Sequence, residues 1–300
     1  MASPLPLHQL VAAELAEPVD ARVTEMAAAV AALYPGSARA VLFYGSCLRE
    51  RQLDGLMLDF YLIVSDYRAA YGKSWLAGAN RLIPPNVFPF EHKGLTAKYA
   101  VLSEADFARE CSPAARTASV FARFAQPARL VWASDEAAGA NAVDAVSRAA
   151  PTLLHLTRAS LTDEEARDPL DLWRRAFAFT YAAELRAERS SRPGSIVDSD
   201  PERYRAFAAA AGYPRDAGLT AEQRARSQRE WRKTARRGKR ANAMRLLKAS
   251  FTFAGGIDYL AWKINRHAGT NIEVKPWQRR WPLVAGLILL PRLLKRGAIR

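Results

Sequence analysis

Residues 40–66 are AVLFYGSCLRERQLDGLMLDFYLIVSD, and this stretch decides the fold. Two runs within it are rich in Val, Ile, Leu, Phe and Tyr, and each is bounded by turn residues, which predicts β-strands at 40–44 and 57–64. A Gly-Ser pair that begins at Gly45 follows the first run directly. Glycine allows a close backbone approach that a Cβ would prevent. The stretch therefore predicts a strand, a tight turn, a polar connection and a second strand with Asp59 near its start.

The turn and the acidic residue have a joint chemical interpretation. Backbone N–H groups at Gly45 and Ser46, next to a possible helix N-terminus, would form an anion site suited to phosphate. Asp59 on the adjacent strand offers a hard oxygen ligand, and Mg²⁺ is usually held by one or two carboxylates plus substrate phosphates. The alternative is an ordinary β-hairpin with Asp59 on its surface. The stretch alone leaves both interpretations open.

A Gly-Ser turn followed about a dozen residues later by an Asp on a strand resembles the nucleotidyltransferase superfamily built around DNA polymerase β. In that superfamily the strand usually carries Asp-x-Asp, whereas Tyr61 takes the second position here. Asp54 and Asp66 flank the second strand and are further candidate metal ligands. Asp54 belongs to an Asp-Gly pair that is typical of a turn, and Asp66 is equally suited to a turn or a cap.

Beyond this stretch, strands and helices alternate up to residue 135, and helical patterns follow. The predicted strands lie at 95–102 and 129–132. The predicted helices of the first part lie at 7–33, divided at Pro18, at 104–111 with Ser103 as N-cap, and at 114–124. We expect an α+β fold in which a polymerase-β-like nucleotidyltransferase domain with a mixed sheet precedes a mainly helical, basic C-terminal domain. The expected boundaries are 1–135 for the nucleotidyltransferase domain with its N-terminal helices, 136–270 for the helical accessory domain and 271–300 for a basic amphipathic tail.

The charge of the chain favours anionic partners. Its 300 residues include 44 Lys plus Arg and 30 Asp plus Glu, a formal net charge of +14. Such an excess suits nucleotide, nucleic acid or anionic lipid. Few aromatic residues interleave the basic run at 215–240, so nucleic acid is the less favoured partner. Cys47 and Cys111, in a chain without a secretory signal, indicate reduced thiols.

Three motifs extend the resemblance to one family. They are Tyr44-Gly45-Ser46, then Met57-Leu58-Asp59-Phe60, then Lys98-Tyr99-Ala100-Val101-Leu102-Ser103. In this order they resemble the Tyr-Gly-Ser-Gly, Met-x-Asp-Phe and Lys-Tyr-Gly-Val-x-Ser motifs of mitochondrial-type phosphatidate cytidylyltransferases, the translocator assembly and maintenance family. The similarity is sparse but runs in order from about residue 40 to 210. The chain departs from the family pattern at Cys47, which replaces the second glycine, and at Gln126, which replaces a lysine.

The resemblance implies a reaction of phospholipid biosynthesis. CTP and phosphatidic acid would form CDP-diacylglycerol and pyrophosphate with Mg²⁺ as cofactor. Asp59 would hold the metal and act with Lys98 in catalysis. The implied nucleotide-binding residues are Tyr44, Gly45, Ser46, Lys98 and Arg123, and the implied binding residues for the lipid substrate are Tyr181 and Arg186.

Two other functions stay open at this point. One is a nucleotidyltransferase that acts on a non-lipid acceptor, and the other is a catalytically inactive basic scaffold that binds anionic lipid or RNA. No apolar run approaches the roughly 20 residues of a spanning helix, which predicts a cytoplasmic protein. Near the C-terminus, Trp277 and Trp281 stand beside an apolar run flanked by cations, a pattern typical of attachment to the anionic inner face of the cytoplasmic membrane. A core helix is the alternative for this segment.

Overall fold

A computed structural model of the protein describes residues 5–50, 53, 55–72, 74–183, 196–213, 218–252 and 275–276. Within these residues the chain is α+β, with a mixed five-stranded sheet covered by helices on both faces. The expected α+β class is thereby confirmed. In the part of the chain that is described, no helix has the length and apolar character needed to cross a membrane.

The sheet contains β1 (Ala38–Tyr44), β2 (Met57–Val64), β3 (Asn86–His92), β4 (Leu95–Ser103) and β5 (Ala128–Ala133), in the spatial order β3-β4-β2-β1-β5. β2 and β4 are parallel, and the other neighbouring pairs are antiparallel. The four strands expected from the sequence are all present, within two residues of their predicted ends. β3 carries Pro89 and lies at the edge of the sheet, where the missing N–H of a proline is tolerated.

The helices are α1 (Leu7–Leu15), α2 (Ala21–Ala32), α3 (Ser46–Glu50), α4 (Tyr67–Tyr71), α5 (Ser74–Leu82), α6 (Glu104–Glu110), α7 (Phe121–Phe124), α8 (Glu136–Ser147), α9 (Ala149–Arg158), α10 (Pro169–Ala183), α11 (Pro201–Ala210) and α12 (Ala221–Thr252). The predicted division of the N-terminal helix around Pro18 is confirmed. So is the N-cap at Ser103, whose Oγ accepts from the backbone N–H of Asp106 at 3.2 Å.

The helix predicted at 114–124 is wrong except for its last turn, α7. Pro113 precedes this segment, and side chains accept from two of its first backbone N–H groups. Ser112 Oγ accepts from the N–H of Ala114, and the carboxylate of Glu110 accepts from the N–H of Arg116, each at 3.2 Å. The N–H of Ala115 donates to the Ser112 carbonyl at 3.0 Å and closes a tight turn, and turns and bends continue until α7 begins at Phe121.

The two faces of the sheet pack against different helices. Along β2, Leu58, Phe60, Leu62 and Val64 belong to a core shared with α2, while Tyr61 and Ile63 belong to a core built mainly from α1 and α6 to α11. This alternation follows from the two-residue period of a strand. Asp59 lies two residues before Tyr61 on β2, so its side chain is on the same face of the sheet. We call this second face the helix-rich face.

The helices after residue 135 share a core with the sheet. Ala142 of α8, Trp173 of α10 and Tyr204 of α11 belong to the same buried cluster as Leu42 of β1 and Tyr61 of β2. Side chains from both sides of residue 135 therefore pack together, and the expected boundaries of separate units stay predictions. Apart from residues 275–276, the predicted tail lies outside the described residues.

Candidate active site

Three neighbouring strands align Tyr44, Asp59 and Lys98 in one row across the sheet. Tyr44 of β1 is paired with Asp59 of β2, and Asp59 is paired with Lys98 of β4. All three lie on the helix-rich face, because their neighbours two residues along each strand belong to that core. A carboxylate, a cation and a phenol from three separate segments are thus brought side by side.

The Gly45 turn lies directly against the carboxylate of Asp59. The backbone of Gly45 has φ +100°, and an ideal Cβ built there would lie 3.0 Å from Oδ2 of Asp59. Glycine is therefore required twice, for its backbone conformation and for the missing side chain. The sequence-based expectation that the Gly-Ser turn and Asp59 meet is confirmed. Ser46 begins α3 next to this contact and is half-buried.

Gly45→Ala is expected to lose activity at this site. The positive φ costs about 1–2 kcal/mol for a residue with a Cβ, and the added methyl group crowds Asp59. We expect the variant to lower turnover about tenfold or more, since displacement of reacting groups by about 1 Å has effects of this order or larger. Gly36→Ala is the matched control, because Gly36 has φ +70° and a Cβ added there would meet nothing within 4 Å. Gly36→Ala should lose a similar amount of stability, as measured by urea unfolding, and should keep the turnover of wild type. Equal turnover in Gly36→Ala and Gly45→Ala would contradict this role of the turn.

Lys98 neutralises the other side of Asp59. Its Nζ lies 2.9 Å from Oδ1 of Asp59, and the two side chains are 31% and 19% exposed. A lysine in an apolar strand is costly unless its charge has a partner, and Asp59 provides one. Oδ1 therefore contacts a cation, while Oδ2 faces the Gly45 turn.

The donor set at the turn fits a magnesium ion held together with substrate. Asp59 Oδ2 is a hard oxygen ligand that faces a turn without a side chain, and its carboxylate is partly exposed. Magnesium commonly takes one or two carboxylates and completes its shell with substrate phosphates and water. Asp59 can therefore be the protein ligand of such an ion.

Tyr44 and Arg123 extend the row towards α7. The Tyr44 ring packs 5.3 Å from that of Tyr61 and 6.0 Å from that of Phe124, measured between centroids. Burial, and then the negative charge of Asp59, raise the pKa of Tyr44 well above its usual range, although Arg123 bonds to this side chain and opposes the shift. The Tyr44 hydroxyl is therefore protonated at neutral pH and serves as a hydrogen-bonding group.

Asp66 is not brought to this site. It lies beyond the opposite end of β2 from Asp59, on the order of 20 Å away at about 3.3 Å per residue. Its Oδ1 accepts from the backbone N–H groups of Arg68 at 2.7 Å and Ala69 at 3.0 Å, and so caps α4. We therefore assign it the cap and not the metal.

The other predicted residues have different outcomes. Tyr181 lies on α10 and is partly buried against the helix-rich core. Asp54 and Arg186 lie outside the described residues, so their predicted roles stay predictions. Cys47 is buried, and its Sγ donates to the carbonyl of Met57 at 3.5 Å, which agrees with a small packed side chain.

Sequence reasoning missed two cations of α12. Arg245 Nε donates to the Pro84 carbonyl at 2.6 Å, and its Nη1 donates to Ser119 Oγ at 3.2 Å. Lys248 Nζ donates to the carbonyls of Ile83 and of Pro85, the latter at 2.8 Å. The sequence did contain an indication of this contact. Two cations three residues apart in an apolar run lie on one face of a helix.

The buried amine of Lys248 predicts a pH dependence of stability. Burial, and then the charge of Arg245, lower its pKa from 10.5 to about 7. Between these values the unfolded chain binds one proton more than the folded chain, so the free energy of unfolding rises with pH from about 7 to 10.5. This contribution is fully present above pH 10.5 and is lost as pH falls through 7.

The comparison of wild type with Lys248→Met isolates that contribution. Urea unfolding at several pH values should give a stability difference, wild type minus variant, that rises between pH 7 and 9.5 by at most about 1.4 kcal/mol per pH unit. A difference that stays constant over this range would contradict the lowered pKa.

No family model and no curated protein matches this chain. The function proposed for it rests on the geometry of the described residues together with the resemblance of its three sequence motifs.

Proposed function

We propose that the protein is a magnesium-dependent cytidylyltransferase that converts CTP and phosphatidic acid to CDP-diacylglycerol and pyrophosphate. The observation that carries this proposal is the contact of Asp59 with the Gly45 turn on one side and with Lys98 on the other. A Gly-Ser turn against a strand aspartate also supports a polymerase-β-like nucleotidyltransferase domain, and the basic helix α12 supports a basic C-terminal domain.

The reaction requires positioning and charge stabilisation more than covalent chemistry from the protein. An oxygen of the acceptor phosphate forms a bond to the α-phosphorus of CTP, the bond from that phosphorus to the bridging oxygen breaks, and its electron pair leaves with pyrophosphate. The backbone N–H groups at Gly45 and Ser46 would hold the β- and γ-phosphates, and Lys98 would neutralise phosphate charge. When bound by Asp59, magnesium supplies positive charge to the triphosphate and the leaving oxygens.

The nucleophile explains why few carboxylates are required. A phosphate monoester has its second pKa near 6, by analogy with phosphoserine, and is therefore already anionic at neutral pH. No strong general base is necessary, which fits Tyr61 at the second position of the strand motif. Tyr44, with its raised pKa, can orient Arg123 or a phosphate by hydrogen bonding.

Peripheral attachment to an anionic membrane surface would bring this enzyme to its lipid. α12 exposes a set of cations, each of which adds about 1 kcal/mol when it lies near such a surface. They are Arg226, Arg229, Arg232, Lys233, Arg236, Arg237, Lys239 and Arg240. We propose a cytoplasmic location with binding to the inner face of the cytoplasmic membrane.

The direct test is pyrophosphate release by the purified full chain with CTP, Mg²⁺ and vesicles that contain phosphatidic acid. We expect release together with formation of CDP-diacylglycerol, and neither product when phosphatidic acid, CTP or Mg²⁺ is omitted. Pyrophosphate release with a soluble phosphate acceptor and no dependence on vesicles would favour the alternative with a non-lipid acceptor.

One observation favours a second candidate, the catalytically inactive scaffold. Lys98 already occupies Oδ1 of Asp59 at 2.9 Å, and this ion pair would be stable without any ligand. A scaffold would bind anionic vesicles or RNA with strong salt dependence and would show no magnesium-dependent affinity for a triphosphate. Magnesium-dependent binding of CTP separates the two candidates.

A further inference from the structure

Two arginines from distant parts of the chain meet at one hydroxyl group beside the proposed site. Arg123 Nη1 donates to Ser119 Oγ at 2.7 Å, and Arg245 Nη1 donates to the same oxygen at 3.2 Å. Ser119 is buried. Arg123 also bonds to Tyr44, which is paired with Asp59 across β1 and β2. The long helix α12 therefore adds a second guanidinium group to the side of the site that Arg123 already lines.

Arg245 is held in place by the contact of α12 with the chain that precedes β3. Its Nε donates to the Pro84 carbonyl at 2.6 Å, and its Nη1 also contacts Asn242 Oδ1 at 3.2 Å. One turn further on, Lys248 donates to the carbonyls of Ile83 and Pro85 and fixes the helix to the same segment. A guanidinium held in this way loses little conformational entropy when it binds an anion.

Two positive charges on one oxygen repel each other, and an anion bound beside both would offset that repulsion. The planar fork of a guanidinium suits the oxygens of a phosphate and can bind them in pairs. The triphosphate is assigned to the Gly45 turn, Asp59 and Lys98, and this proposal replaces the predicted role of Arg123 in nucleotide binding with a role at the second phosphate. The Arg123–Arg245 pair is therefore suited to a second phosphate in the same site.

We propose that Arg245, together with Arg123, binds the phosphate monoester group of the acceptor. This inference rests on the proposed function and extends it by naming the residues that hold the second substrate. An attacking oxygen must come within about 3–3.5 Å of the reacting phosphorus, so the acceptor phosphate has to lie next to the triphosphate site. Tyr44 is paired with Asp59 and bonds to Arg123. Arg123 shares the Ser119 hydroxyl with Arg245. These contacts place the two arginines next to the triphosphate site, as the reaction requires.

The test uses dihexanoyl phosphatidic acid as a soluble probe below its micelle concentration, titrated into the full chain without CTP. Arg245→Gln should weaken binding of the probe about tenfold or more, because a hydrogen bond to a charged group contributes on the order of tenfold to a hundredfold in affinity. Arg22→Gln is the matched control for charge. Arg22 is exposed on α2, on the opposite face of the sheet, and its replacement should leave the affinity unchanged. Inorganic phosphate should compete with the probe in wild type, whereas dihexanoylglycerol should not.

A second control separates charge from the attachment of α12. Lys248→Met removes contacts to the same segment before β3 and leaves both guanidinium groups at Ser119. A clearly larger loss of affinity in Arg245→Gln than in Lys248→Met supports the inference. Equal loss in both variants, or unchanged affinity in Arg245→Gln, would overturn it.

Steady-state kinetics distinguish this inference from the proposed function. We expect Arg245→Gln to raise KM for phosphatidic acid about tenfold and to leave KM for CTP unchanged. If Arg245→Gln turns over with an unchanged KM for phosphatidic acid, the inference about Arg245 is wrong but the proposed function still stands. Binding of the probe that depends on Arg245, in a protein that releases no pyrophosphate, would remove the function and keep the phosphate site.

Discussion

Replacement of Asp59 by asparagine is expected to lower pyrophosphate release about a thousandfold. The carboxylate is the proposed ligand of magnesium at the Gly45 turn, and removal of one group that stabilises developing charge typically costs a hundredfold to a thousandfold in rate. The variant should stay folded, because the ion pair of Asp59 with Lys98 is partly exposed and such pairs contribute about 1 kcal/mol or less. Initial rates with CTP, Mg²⁺ and phosphatidic acid measure the loss of activity. The thermal unfolding midpoint shows whether the variant stays folded.

Asp66→Asn is the matched control for this change. It alters the same functional group at the other end of β2, where Asp66 caps α4, and asparagine caps a helix about as well as aspartate. Turnover and stability should therefore both stay close to those of wild type. An active Asp59→Asn enzyme would remove the metal assignment, and an inactive Asp66→Asn enzyme would contradict the separation of the two carboxylates.

Replacement of Glu14 by glutamine is expected to lower the free energy of unfolding by about 3–5 kcal/mol. Glu14 of α1 and Arg203 of α11 form a buried ion pair, with Nη2 and Oε1 at 3.0 Å and a second bond from Nε. Arg203 also donates to the Ala125 carbonyl at 3.2 Å and lies 4.1 Å from the Phe207 ring centroid. Burial alone would lower the pKa of Arg203, but the charge and hydrogen bonds of Glu14 outweigh it and raise that pKa. A neutral partner would leave the guanidinium buried without its counter-charge.

The double variant Glu14→Leu/Arg203→Met tests whether charge is the cause. Hydrophobic residues of similar volume often replace a buried pair with little loss of stability. Urea unfolding should therefore show the double variant to be more stable than Glu14→Gln. A double variant that loses more stability than Glu14→Gln would assign the effect to packing of Arg203 against its aromatic neighbours.

The sequence predicted the parts of the site that depend on local pattern. Strands β1 and β2 follow from apolar runs bounded by turns, and a turn after Gly45 brings Asp59 back beside it. The alternating period of β2 then decides which face carries Asp59. Lys98 lies next to Asp59 only because β4 pairs in parallel with β2, and the pattern of neither strand predicts that pairing.

The parts that the sequence did not predict depend on contacts between distant segments. Arg245 reaches Ser119 because α12 packs near the segment before β3, and nothing local to residue 245 encodes that contact. The same holds for Glu14 and Arg203, which are 189 residues apart in the sequence. Asp66 shows a different limit, since a cap and a metal ligand call for the same residue type and only its place at the far end of β2 decides between them.

The most direct measurement is the thermal unfolding midpoint of the full chain with each of the four nucleoside triphosphates, with and without Mg²⁺. A ligand that binds only the folded state raises its stability, by about 2.7 kcal/mol at a hundred times its Kd. CTP with Mg²⁺ should raise the midpoint by several degrees, and Asp59→Asn should abolish the part of the shift that requires Mg²⁺. A midpoint that no triphosphate raises in a magnesium-dependent way would contradict the claim that Asp59 and the Gly45 turn together hold a magnesium-bound triphosphate.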